Sequence, residues 1–97
     1  MTAVAPLTLD TKIARHRSAL SADVGAQVVM LVAERNSYFD ANTVGSALWR
    51  ALDTPRTIRA ICDEVLERYD VSRERGEDEV IAFFETARRA GLIEIVA

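Results

Sequence analysis

Catalysis needs a nucleophile, a base or a metal ligand within reach of partners, and this 97-residue sequence holds few of them. His16 is the single histidine and Cys62 the single cysteine. A Cys–His or Ser–His pair would need His16 beside Cys62 or a serine, with a third residue to orient the imidazole. Cys62 instead falls on the apolar stripe of a helical segment, where a thiol is inert filling. One His and one Cys cannot complete a structural zinc site. The carboxylates Asp63-Glu64 and Glu77-Asp78-Glu79 carry oxygens suited to a hard cation, but read more simply as a solvated helix face and a helix start. The four glycines, Gly25, Gly45, Gly76 and Gly91, are scattered, so there is no phosphate-cradling loop. The expectation is a protein that is not an enzyme, has no catalytic residue, no metal and no cofactor, and acts by binding.

Charge bears on what it binds. Twelve bases against fifteen acids leave a net charge of −3. Phosphate affinity rests on clustered Lys and Arg. Residues 57–69 and 78–90 are the helical segments that could serve for recognition, and each carries one more acid than bases. A winged-helix DNA-binding protein is therefore the alternative reading, and no nucleic-acid partner is expected.

The remaining chemistry is that of surfaces. Ser37, Tyr38, Phe39, Asp40 and Ala41 read as the last strand of a small sheet, and such an edge offers unpaired N–H and C=O groups to another chain. The segment Val80-Ile81-Ala82-Phe83-Phe84 is unusually apolar for a helix that needs one narrow buried stripe. Val80 and Phe83 read as core, whereas Ile81 and Phe84 read as a partly exposed groove wall. An edge strand beside an apolar helix shoulder is the setting for strand addition by a peptide. Asp40 and Asn36 flank the strand. Arg88, one turn after Phe84, is placed either to pair with an acid on the peptide or to face the helix C-terminal dipole. Tyr38 and Phe39 point to opposite faces, one onto the helices and one outward. The same edge could instead pair with itself, making a homodimer.

The elements that must position these residues follow from local pattern. Residues 1–11 read as a flexible arm and residues 12–97 as one domain. Lys12–Arg17, Ala26–Ala33 and Tyr38–Ala41 read as three antiparallel strands, with turns at Ser21–Gly25 and Glu34–Ser37. Asn42 is the N-cap of a helix to Leu52, and Thr57 that of a second running to Tyr69. Asp70–Gly76 reads as a charged loop. A third helix starts near Glu77 or Asp78 and ends at Gly91, followed by a short strand or tail, Leu92–Val96. The fold class is α+β: a winged helix-turn-helix-like domain, with a three-stranded antiparallel sheet followed by three helices. The longest apolar run is six residues, and there is no signal-peptide pattern, so no membrane partner is expected and the cytoplasm is the default location.

The ordered set of these motifs resembles the PqqD-like family. It comprises the turn Glu34-Arg35-Asn36-Ser37, the strand Tyr38-Phe39-Asp40 and the helix Asn42-Thr43-Val44-Gly45-Ser46-Ala47-Leu48-Trp49-Arg50-Ala51-Leu52. Thr57-Ile58-x-x-Ile61, Tyr69-Asp70-Val71, Val80-x-x-Phe83-Phe84 and Gly91-Leu92-Ile93 complete it, and together they span about residues 26–96. Ala41 stands where the family usually has Leu, which shrinks one contact at the strand-to-helix corner. The resemblance implies a stand-alone recognition element for ribosomally made, post-translationally modified peptides. It would bind the leader segment of a precursor peptide at the third strand and third helix. The peptide-contacting residues would be Ser37, Tyr38, Phe39, Asp40, Ala41, Val80, Ile81, Phe84 and Arg88. The leader would then be presented to a modifying enzyme: a leader protease, a cyclase or a radical SAM enzyme. A lasso-peptide pathway is favoured.

Overall fold

The computed structural model describes residues 5–35 and 37–96. Strands β1 (Lys12–Arg15), β2 (Ala19–Val24), β3 (Gln27–Val32) and β4 (Ser37–Asp40) precede helix α1 (Thr43–Ala51). Strand β5 (Arg56–Thr57) runs directly into α2 (Ile58–Val65), and α3 (Arg73–Arg89) is followed by β6 (Ile93–Ile95). This is the expected α+β arrangement of a three-stranded antiparallel sheet with three helices. Among the described residues no helix is long and apolar enough to cross a membrane.

The membership of the sheet differs from the sequence reading. The meander is β2-β3-β4, and β1 lies instead between β5 and β6 in a second antiparallel sheet. Ser21–Val24, expected as a turn, is strand; the turn is Gly25-Ala26, where Gly25 takes a φ of +64°. The reason is physical. Every residue of β2 after Ala19 is exposed, so no buried face writes an alternation into its sequence. Its conformation comes from the ladder to β3, with Leu20 opposite Leu31 and Ala22 opposite Val29. β1 carries the fully buried Ile13, and its register against β6, Ile13 with Ile95 and Arg15 with Ile93, makes the C-terminal segment a strand.

The N-terminal segment also differs from a loose arm, as far as it is described. Leu7 is buried. The Arg59 N–H donates to the Leu9 carbonyl at 2.8 Å and the Ile58 N–H to that of Thr11 at 3.0 Å. Residues 1–4 of the expected arm lie outside the described residues, as does Asn36 of the turn before β4.

Two helix starts follow the sequence. The side chain of Asn42 accepts the Gly45 N–H at 2.8 Å, and that of Thr57 accepts the Ala60 N–H at 3.2 Å. α2 is shorter than expected, giving way to a 3-10 turn at Leu66–Arg68. α3 is longer, because Ser72 caps it and Arg73 pairs with both Asp63 and Glu77 at 2.6 Å. The charged segment expected as a loop up to Gly76 is therefore largely the first turn of α3. Gly91, at φ +81°, ends that helix as expected.

Candidate functional site

α3 buries one stripe along its length. Its buried residues are Gly76, Val80, Phe84 and Ala87, spaced four, four and three apart. Phe84 is 0% exposed and belongs to the core, which corrects its expected place on a groove wall. Phe83, expected in the core, is half-buried and stands at the surface of the groove instead. The two rings meet edge to face with centroids 5.1 Å apart, so the buried ring supports the half-buried one. The sequence pattern places Val80 and Phe83 in that stripe. On a helical wheel Phe84 and Phe83 lie on opposite sides of Val80, at about 40° and about 60° from it, so Phe84 is the nearer to the centre of the buried stripe.

β4 forms one edge of the meander, with its other side paired to β3. Met30 faces Phe39 on the side toward the helices, and Leu31 faces Tyr38 on the outer side. Phe39 therefore packs against the core while Tyr38 is 69% exposed, which settles the orientation the sequence left open. The Ala41 N–H donates to the Val28 carbonyl at 3.0 Å and sets the phase of the ladder. Bonded pairs alternate along an antiparallel ladder, so Ser37, Phe39 and Ala41 direct their backbone groups to β3. Tyr38 and Asp40 direct theirs to the open edge.

Beside that edge lies a groove of about 240 Å³. Phe39 and Asp40 form its strand wall, Met30 and Leu92 its base, Asn42 one end, and Phe83, Thr86, Ala87 and Ala90 its helix wall. At the C-terminal end of α3, Arg35 donates from Nη1 to the Arg89 carbonyl at 2.9 Å, tying the segment before β4 to the helix. A second cavity of about 290 Å³ lies on the far side of Phe83, lined by Asn42, Val44, Gly45, Leu66, Glu79 and Val80 among others. The Phe83 ring is thus a partition between two cavities.

The corner from β4 to α1 is held by one buried hydroxyl. Ser46, 0% exposed, accepts the Val28 N–H at 2.9 Å through Oγ and donates to the Ala41 carbonyl at 3.2 Å. Ala41 itself is buried. Ser46 satisfies two backbone groups that this corner would otherwise leave unpaired, and it is where α1 meets the meander.

Of the residues expected at the site, Phe39 and Asp40 line the groove. Tyr38 stands on the outer face and Ala41 lies behind the corner. Val80 is buried and borders the second cavity. Ile81 is half-buried and lines neither cavity. Arg88 pairs with Glu85 at 2.6 Å and donates to the Ala5 carbonyl at 3.0 Å, so it is engaged with the N-terminal segment. The side chain of Ser37 lies outside the described residues. The sequence reading missed Met30, Thr86, Ala90 and Leu92, because they come from separate elements that only folding brings together.

The reactive residues have structural roles. His16 Nδ1 accepts the Ser18 N–H at 3.1 Å in the turn between β1 and β2. Cys62 is fully buried, and burial pushes its thiol pKa up. Among the described residues no three His, Cys, Asp or Glu side chains gather as metal ligands. On α3, Arg73, Arg75 and Arg88 each pair with a carboxylate.

The chain matches the family model of PqqD, coenzyme PQQ synthesis protein D, over residues 27–93. A search of curated proteins found no match. Among solved structures, TbiB1 in complex with the TbiA(beta) leader peptide is similar to this chain at a TM-score of 0.80 and 26% identity, covering 87% of this chain and 98% of that one. Lasso peptide synthetase B1 complexed with the leader peptide is similar at a TM-score of 0.70 and 14% identity, covering 84% of this chain and 96% of that one. At that lower identity the likeness is one of fold.

Proposed function

The chain belongs to the PqqD family, and from that premise we propose that it binds the leader segment of a ribosomally made precursor peptide and presents it to a modifying enzyme or leader protease, in a lasso-type pathway. The leader adds as a strand to the open edge of β4. Its backbone bonds with Tyr38 and Asp40, and its inward side chains enter the groove between Phe39 and Phe83. The observation that carries this reading is the adjacency of the edge backbone at Tyr38 and Asp40, which no strand among the described residues pairs, to the apolar groove beneath it.

The magnitudes assign roles to the two parts. Four backbone hydrogen bonds at about 0.5–1.5 kcal/mol each supply at most about 6 kcal/mol. Micromolar affinity needs about 8 kcal/mol net, after the ordering of a flexible peptide. The edge therefore sets direction and register, and apolar burial in the groove, at about 1.5–3 kcal/mol per side chain, supplies the rest. The relatives bound to leader peptides support this reading by their fold and, for TbiB1, by identity.

Isothermal titration with synthetic leader segments of lasso precursor peptides tests it. The expected result is micromolar or tighter binding, with NMR amide shifts centred on residues 38–40 and Phe83. Absence of binding overturns leader recognition, and shifts centred elsewhere overturn the strand-addition geometry.

A further inference from the structure

β2 is the other edge of the meander, and no strand among the described residues pairs with its open side. Proteins blunt such edges with Lys, Pro, a bulge or a covering segment. β2 has no Lys or Pro, and its single charge, Asp23, is paired with Arg50 at 3.0 Å. Leu20 and Val24 stand 57% and 61% exposed.

The bonding phase of this edge is determined. Val24 and Gln27 close the two-residue turn at Gly25-Ala26, so Leu20, Ala22 and Val24 exchange hydrogen bonds with β3. The Ala41-to-Val28 bond across β3 requires the same phase. Ala19, Ser21 and Asp23 therefore aim their backbone groups at the open edge.

The geometry points to a second copy of this chain as the occupant, pairing β2 antiparallel to itself about a two-fold axis at Ala22. In that register Ser21 exchanges hydrogen bonds with Asp23 of the second copy, and Leu20 faces Val24 of the second copy. The two most exposed aliphatic side chains of the strand thus cover each other. Centring the axis on Asp23 would set like charges opposite, and centring it on Ser21 would leave Val24 facing Ser18. Only the Ala22 register is complementary in both apolarity and charge. A strand of six residues is about 20 Å long, so this strip is at the small end of specific interfaces, below about 1,200 Å². The dimer is accordingly concentration-dependent rather than obligate. It joins two meanders into one six-stranded sheet and leaves both β4 edges open at its ends, so each copy keeps its groove.

Cross-linking and mass test this directly. Non-bonded antiparallel partners bring their Cα atoms to about 4.5 Å, within the ~4.4–6.8 Å span of a disulfide. Ala22→Cys treated with a mild oxidant is expected to give a covalent dimer of twice 10.7 kDa, whereas Ser21→Cys gives little. Cys62 is buried and does not interfere. By light scattering across a concentration series, the wild type is expected to move toward the dimer mass, Leu20→Lys to stay monomeric, and Leu20→Lys with Val24→Glu to associate again through opposite charges. Circular dichroism checks that each variant is folded. A wild type that stays monomeric up to about 1 mM, where weak interfaces associate, overturns the proposal and leaves the edge to a different partner. Equal cross-linking at positions 21 and 22, or association unaltered by Leu20→Lys, places the contact elsewhere and overturns it too.

Discussion

The ring of Phe83 lies over Gly45 so closely that a Cβ at position 45 would come within 2.8 Å of its Cε1. The absence of a side chain on α1 is thus what lets the ring stand where it separates the two cavities. Gly45→Ala is expected to push the ring into the groove and weaken leader binding about tenfold. Stability should move by less than about 1 kcal/mol, since Ala gains about 0.5–1 kcal/mol over Gly inside a helix. Titration calorimetry and thermal melts of the same sample separate the two effects; unaltered affinity would count against Phe83 as the wall.

The adjacent phenylalanines are expected to fail differently. Phe84→Ala empties a fully buried site and should cost about 3–5 kcal/mol of stability. Phe83→Ala should keep most of the stability and lose at least about 1.4 kcal/mol of leader affinity, a factor of ten. Urea denaturation and leader titration on both variants check this. The reverse assignment of effects would refute the placement of the two rings.

Ser46→Ala removes the partner of the Val28 N–H at a fully buried corner. An unsatisfied buried donor costs about 1–3 kcal/mol. Chemical denaturation should show that loss, and Ser46→Thr or Ser46→Cys should not restore it fully, because the site is closed. A melt equal to wild type would show that the hydroxyl does not hold the corner.

Cys62 makes a pH prediction. Burial raises its thiol pKa above the ordinary value of 9.0. A group whose folded pKa is raised contributes a stability that is fully present below the unfolded pKa and is lost as pH rises through the folded one. Melts at pH 7 and pH 10 should therefore show a steeper alkaline loss in the wild type than in Cys62→Ala. Alkylation by iodoacetamide at pH 8 should require unfolding. Rapid alkylation of the folded protein would contradict the burial.

Sequence and tertiary structure decided different things. The α+β class, the caps Asn42 and Thr57, the glycine stop at position 91 and an edge strand through Tyr38-Phe39-Asp40 were legible because each rests on local chemistry: a side-chain oxygen before a helix, a positive φ, an alternating run. β2 was not legible, because an exposed strand has no buried face to impose a period. Nor was the pairing of β1 with β6, since a ladder between residues eighty apart leaves no local mark. The start of α3 depended on Arg73 reaching Asp63 on the preceding helix. Which of two neighbouring phenylalanines enters the core was decided by how α3 packs on the other elements, since the two rings flank the Val80 direction on opposite sides. The groove itself is a tertiary product, because Met30, Phe83 and Leu92 become neighbours only when strand, helix and tail pack together.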